Sequence, residues 1–320
     1  MHRRTAINLP LVAFLGAGRH GVARAAAPRK PARIGLLTVE PEDFSFFAKY
    51  LKQAGLEEGR DFVLVQQRAA RSELLLSSAR ELVSQAIDLI VAPSTQETRA
   101  AQQATRTIPI VMLYGLAPEE FGFAASLARP GGNITGTVAY PLELIGKSIE
   151  VFRELHPRLR RLALLLDTGP FAPVFQREAA RAAQVLGIAA HSLVVSHESE
   201  LPARFAMAER LGADGLFVSH DLFLMYPRVA VLAAAHRLPV MYPTIPPIRE
   251  GGLVAVAPDL PVVYQSAANI VARLLAGARP EDTPIEQPTR YAVGINLRTA
   301  KALGMPVPIS IRLRATLVVE

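Results

Sequence analysis

The chain predicts an α/β fold built as two doubly wound parallel-sheet lobes. Three observations carry that reading. Short apolar runs such as Ile87-Asp88-Leu89-Ile90-Val91 alternate with longer amphipathic stretches. Continuous rather than alternating apolar runs suit strands covered on both faces, as parallel strands are. The whole rhythm restarts at Arg161 after a cluster of turn residues, and 320 residues suffice for two cores of roughly 100–150 residues each.

Taken in order, strands are expected at 33–39, 61–67, 87–92, 108–113 and 133–138, with helices at 42–55, 72–86, 94–105 and 118–127 between them. Pro130-Gly131-Gly132, Gly136 and Pro141 mark the first boundary, near 138–141. A helix at 142–155 follows. The second series places strands at 161–166, 188–195, 215–219, 238–241 and 252–257 and helices at 171–186, 198–211 and 226–237. The tail reads as a turn at Gln287-Pro288, a strand from Tyr291 to Ile295, and a helix N-capped by Asn296. Gly304 ends that helix, and Pro306 and Pro308 forbid its continuation.

Half of the residues are hydrophobic and 20% charged, which excludes a disordered chain. The formal charge of +7 is concentrated at the start. Arg3, Arg4, Arg19, Arg24, Arg29 and Lys30 precede residue 31 with no acid among them, and removing the first 25–27 residues takes away four of these charges, leaving about +3. A nucleic-acid footprint needs basic residues gathered on a folded face, so no nucleic-acid partner is expected. Residues 1–27 have instead the layout of a signal peptide: a basic start to Arg4, an apolar stretch Ala6–Gly18, and a small-residue cleavage site at Ala23–Ala25 or Ala25–Ala27. Arg3-Arg4 also permits twin-arginine export. About 13 apolar residues interrupted by Pro10 fall short of the ~20 that cross a bilayer. The chain has no cysteine, hence no disulfide, no thiolate chemistry and no lipid-modified cysteine. A freely diffusing periplasmic protein is expected.

Catalytic motifs are wanting. Gly146-Lys147-Ser148 ends like a phosphate loop, but Pro141 stands where that loop needs a glycine amide, and Glu143 would face the phosphate. No Gly-x-Gly-x-x-Gly follows the first strand and no Gly-x-Ser-x-Gly elbow occurs. The seven histidines lack zinc-ligand spacing, and His220-Asp221 is the one His–acid neighbour pair in a loop of interest. Neither enzyme chemistry nor a cofactor or metal is expected.

The remaining candidates are the loops at the carboxyl ends of the strands, where open parallel sheets form their crevice. The first lobe offers Thr38, Glu40, Phe44, Ser94, Thr95, Tyr114 and Gly115; the second offers Asp167, Thr168, Ser219, His220, Asp221, Tyr242 and Thr244. The set suits a small zwitterion. Ser94 and Thr95 open a helix and could bind a carboxylate. Asp167, Asp221 or Glu40 could pair with an ammonium, and Tyr114, Tyr242 or Phe44 could stack on an apolar side chain. Ser94 and Asp221 serve equally well as helix caps.

Residues 285–320 and the segment Ala128-Arg129-Pro130-Gly131-Gly132-Asn133-Ile134-Thr135-Gly136 resemble the extracytoplasmic substrate-binding components of ABC transporters, in the family that includes tryptophan/tyrosine-type binding proteins. Leu211–Leu216, Arg237–Val240, Glu250–Leu253 and Ala276–Pro280 match in the same order. The resemblance implies a periplasmic binding protein type I-like fold with a multi-strand hinge, crossed again near 257–261 and 284–288. It implies lobe 1 at 31–138 plus 258–284 and lobe 2 at 139–257 plus 285–320. It also implies capture of a small amino-acid-like or organic-acid solute by hinge closure, and delivery by a monomer to permease and ATPase subunits on separate chains. Two loops facing the crevice depart from the family pattern, Tyr114-Gly115-Leu116-Ala117-Pro118 and Asp167-Thr168-Gly169-Pro170, so ligand identity is not inherited. The same scaffold could also act as a ligand-sensing module for a membrane signalling protein, or as a periplasmic α/β enzyme.

Overall fold

In the computed structural model the first run of the chain gives β1 (Ala32–Val39), α1 (Phe47–Gln53), β2 (Phe62–Ala69), α2 (Leu75–Ser84), β3 (Leu89–Ala92), α3 (Thr95–Ala104), β4 (Ile110–Gly115) and β5 (Ile134–Val138). These five strands form one all-parallel sheet in the order β2-β1-β3-β4-β5. The residues described are 30–39, 44–288 and 290–320, and Pro31–Glu320 forms one compact unit. The expected signal segment and Glu40 lie outside the described residues.

The second run gives α4 (Leu142–Leu155), β6 (Arg161–Leu166), α5 (Ala172–Val185), β7 (Ala189–Val194), α6 (Leu201–Arg210), β8 (Gly215–Val218), α7 (Tyr226–Ala235), β9 (Val240–Tyr242), α8 (Pro246–Arg249) and β10 (Val254–Pro258). The chain continues through α9 (Leu260–Leu275), β11 (Tyr291–Asn296), α10 (Leu297–Ala302), α11 (Ile309–Arg314) and β12 (Leu317–Val319). The second sheet has seven strands in the order β12-β11-β10-β9-β8-β6-β7. It is parallel except where β11 pairs antiparallel to β10.

The uninterrupted apolar runs are buried on both faces, as their composition demands. In β3, Leu89 and Val91 join the core under α1 and α9, whereas Ile90 and Ala92 join the core under α2 and α3. All four are 0% exposed, and each large side chain so buried contributes roughly 1.5–3 kcal/mol. Helix α9 therefore packs on the first sheet although it follows β10 of the second. In the second lobe α4, α5, α10 and α11 cover one face, and α6, α7 and α8 cover the other.

The first and third crossings between the sheets run side by side. Val138 N donates to Glu286 O, and Glu286 N donates to Gly136 O, both at 2.9 Å. The Glu286 carboxylate accepts from Ser266 Oγ and from Arg273 at 2.7 Å, both on α9. The second crossing joins them where Pro258 pairs with Tyr291.

Three local expectations change. Residues 118–127 form turns rather than a helix. Phe121 N bonds Ala117 O and Phe123 N bonds Pro118 O, but Gly122 turns left-handed (φ 68°) after a single turn. Phe121 and Phe123 then stack under the Arg99 guanidinium. The tail carries a further helix, α11, and an edge strand, β12, beyond the expected elements. Its capping is as expected: Asn296 Oδ1 accepts from Thr299 N at 3.0 Å, and Gly304 is left-handed at φ 70°. Asn296 also donates to Ile248 O at 2.9 Å, which ties the tail to α8.

Candidate functional site

In the first lobe the carboxyl ends of the adjacent strands β1, β3 and β4 bring several candidates together. Ser94 caps α3 in a full capping box: its hydroxyl accepts from the backbone amide of Glu97 and from Gln96 N at 3.2 Å, while Glu97 reaches back to Ser94 N at 3.1 Å and to Ser94 Oγ. Thr95 Oγ1 accepts from Leu116 N at 3.2 Å, and Tyr114 N donates to Pro93 O at 3.0 Å. The loops after β3 and β4 are thus laced to each other. Phe44, 8% exposed, lies with its ring 6.0 Å from that of half-buried Tyr114. Gly115 packs against the Met112 side chain, and a Cβ there would collide with its sulfur. Thr38 is 2% exposed inside the sheet.

This arrangement bears on the carboxylate-binding expectation. The amino end of α3 already holds a carboxylate, that of Glu97, which is 3% exposed. Burial pushes its carboxyl above the ordinary range against the opposing hydrogen bonds from Ser94. Ser94 and Thr95 spend their hydroxyls on the fold.

In the second lobe Asp167 and Asp221 converge on Gly169. Asp167 Oδ2 accepts from Gly169 N at 2.8 Å. A Cβ on Gly169 would strike Asp167 Oδ2 and lie 3.7 Å from Asp221 Oδ2, so glycine leaves room for two carboxylates to share one corner. Asp167 Oδ1 is buried without a partner. Burial, and then the neighbouring Asp221 charge, raise the Asp167 carboxyl above its usual range. His220 Nδ1 stands 3.8 Å from Asp221 Oδ1, and its ring is 6.5 Å from that of Tyr140. Ser219 is 0% exposed, its hydroxyl has no partner, and its carbonyl accepts from Tyr226 Oη at 2.9 Å.

The other candidates fall elsewhere. Thr168 is exposed, and Thr244 is half-buried just before α8. Tyr242, expected to stack in the crevice, is 0% exposed in the core, edge-on to Tyr226 at 5.5 Å, with its hydroxyl unpartnered. β9 is a central strand of the sheet, and Tyr242 is its last residue.

Three residues beyond the sequence candidates shape the site. Glu97 was readable as the acid three places after Ser94. Tyr140 follows β5 at the first crossing, where it is 2% exposed and its hydroxyl lies 3.3 Å from Ser148 Oγ. Glu120 pairs with Arg177 of α5 at 2.6 Å, and Leu116 and Ala117 join the second lobe's core, so the β4 loop bridges the lobes. Two concavities of about 430 Å³ each lie elsewhere, one between Leu297 and Arg312 and one between Ala180 and Ala190. Neither is lined by any of these strand-end residues. Among the described residues no cluster of His, Asp and Glu could hold a metal ion, and no helix is long and apolar enough to cross a membrane.

Residues 43–319 match the family model described as ABC transporter substrate binding protein. The chain belongs to this family. A tyrosine-binding protein of Clostridioides difficile strain R20291 is 28% identical over 265 residues, covering 81% of this chain and 75% of its own length. Among solved structures, a Streptococcus pneumonia ABC domain in complex with L-Trp superposes with a TM-score of 0.82 at 21% identity, over 91% of this chain and all of that one. A conserved domain protein of Vibrio cholerae O1 biovar El Tor gives 0.80 at 22% identity, over 90% and 100%. A ligand-free, open substrate-binding protein with adhesive properties from Clostridium difficile gives 0.71 at 22%, over 90% and 99%. The α/β fold of two parallel-sheet lobes is that of the type I periplasmic binding proteins. Proteins of this family bind substrates of ABC transporters.

Proposed function

We propose that the chain is the extracytoplasmic receptor of an ABC importer, and that it captures an amino-acid-like solute between its lobes. The carrying observation is the second-lobe corner, where Asp167 and Asp221 meet at Gly169 and Asp167 Oδ1 is buried with no partner. A buried carboxylate oxygen without a partner is costly, and a ligand ammonium would satisfy it. Tyr114 backed by Phe44 offers the apolar wall in the first lobe. The tyrosine-binding relative and the L-Trp complex favour an aromatic amino acid.

In this reading residues 31–138 plus 258–284 and residues 139–257 plus 285–320 move as two bodies about the three crossings. Ligand contacts made only in the closed state drive closure. Residues 1–27 export the chain, which acts as a monomer and passes its solute to permease and ATPase subunits on other chains. The mature protein, screened against the L-amino acids by thermal shift, gains stability with an aromatic amino acid. The gain reaches about 2.7 kcal/mol at a ligand concentration a hundredfold above the dissociation constant. No shift with any amino acid or organic acid, and no change in X-ray scattering on ligand addition, would overturn the reading.

A further inference from the structure

Strand β4 does not pair evenly with β5. Met112 pairs with Gly136 and Gly115 pairs with Val138, so three steps along β4 match two along β5. One extra residue is accommodated between them, a β-bulge. Its consequence is visible in the packing. Along β4, Ile110 and Met112 enter the core under α2 and α3, whereas Val111 and Leu113 enter the core under α1 and α9. Regular alternation would send Tyr114 to the Met112 side. Tyr114 instead packs on the same side as Leu113, with its ring 6.0 Å from Phe44.

The bulge is held by residues of β5. Gly136 sits at φ 134°, where a side chain is strained, and a Cβ there would collide with the Met112 backbone. Thr137, 1% exposed, donates its hydroxyl to Leu113 O, the carbonyl inside the bulge. Phe44 and Tyr114 both lie past or at the carboxyl ends of their strands, where the crevice of an open sheet forms. Phe44 is buried beside Tyr114, which remains half-buried at the end of its strand.

We infer that Tyr114 is the specificity-determining residue of the site, a platform for a flat aromatic side chain, and that Gly136 and Thr137 are positioning residues that aim it through the bulge. This rests on the proposed function. Ring-on-ring contact adds to simple burial and rewards a planar partner over a branched aliphatic one. The β4 bulge therefore sets a preference among amino acids without itself touching the ligand.

Titration calorimetry with L-tryptophan, L-tyrosine and L-leucine on the mature chain tests this. The chain contains no tryptophan, so the emission of bound L-tryptophan gives a second readout free of protein indole. Tyr114→Ala should weaken the two aromatic ligands roughly tenfold while changing L-leucine less than about threefold. Tyr114→Phe should restore aromatic binding to within about threefold of wild type. Gly136→Ala should lose the same preference; should its circular dichroism show that it does not fold, Thr137→Val, a milder loosening of the bulge, should lower the aromatic-to-aliphatic ratio in the same direction. Equal losses for all three ligands in Tyr114→Ala, or no loss, would overturn the inference while leaving the receptor reading intact. Wild-type protein that binds none of the three but is stabilised by another amino acid or organic acid would overturn the inference and leave the receptor reading intact; only the absence of any such ligand would remove both.

Discussion

The two walls of the crevice are built on the same plan and finished differently. In the first lobe the polar groups at the strand ends are consumed by the fold: Ser94, Glu97 and Thr95 bond one another and the neighbouring loop. In the second lobe, groups at the corresponding places are left wanting. Asp167 Oδ1 and Ser219 Oγ are buried without partners, and two carboxylates share one corner. Buried polar groups in folded proteins are nearly always paired, and in the proposed function the unpaired ones here are met by the ligand. The first lobe supplies a settled shape and an aromatic face, and the second supplies unmet charge.

The sharpest way to break this contrast is to neutralise the second wall. Asp167→Asn should weaken an amino-acid ligand roughly 10- to 100-fold, since a hydrogen bond to a charged group is worth about 1.5–3 kcal/mol, with little loss of stability because Oδ1 has no partner in the fold and an amide oxygen can still accept from Gly169 N. Calorimetry alongside thermal melting separates the two, and a variant that melts far lower but binds normally would reverse the assignment. The same carboxyl gives a pH signature. Only ionised Asp167 pairs with an ammonium, and its folded-state proton affinity is raised. Affinity should therefore fall as pH drops through that raised value and hold level above it, and Asp167→Asn should flatten the profile.

In the first wall the opposite pattern is expected. Thr95→Val leaves the buried Leu116 amide without its acceptor and should cost about 1–3 kcal/mol of stability, while affinity changes only through the loop it holds. The smallest effect concerns Glu97. Its carboxyl titrates near 4.5 in the unfolded chain and higher in the folded one. The folded state therefore keeps the proton to higher pH. This group's contribution is greatest below about 4.5 and is lost as pH rises through the folded value. Glu97→Gln preserves the capping box and should melt higher than wild type at neutral pH, with the gap closing near pH 4. A lower melting temperature at pH 7 would show that the ionised form is held favourably by the helix end.

Much of the scaffold was legible because it rests on composition. Strands such as Leu89–Ala92 announce themselves by unbroken apolar runs, and Asn296 and Gly304 punctuate the tail helix by their own backbone preferences. What was not legible depends on a partner far along the chain. The bulge that turns Tyr114 needs Gly136 and Thr137 on the next strand. The meeting of Asp167 with Asp221 needs β6 and β8 side by side. Tyr242 read as a rim aromatic because it follows an apolar run, but β9 lies in mid-sheet and buries it. Residues 118–127 show helical composition, and Gly122 ends the first turn.

The lacing of the crossings has a mechanical meaning. With Glu286 bonded to Gly136 and Val138 on one side and to Ser266 and Arg273 on the other, the connectors cannot slip lengthwise past one another without tearing two main-chain bonds and an ion pair. Under the proposed closure, this lacing would resist sliding of the connectors along one another more than twisting about them. A chain cut at one connector would still be held together by the other two.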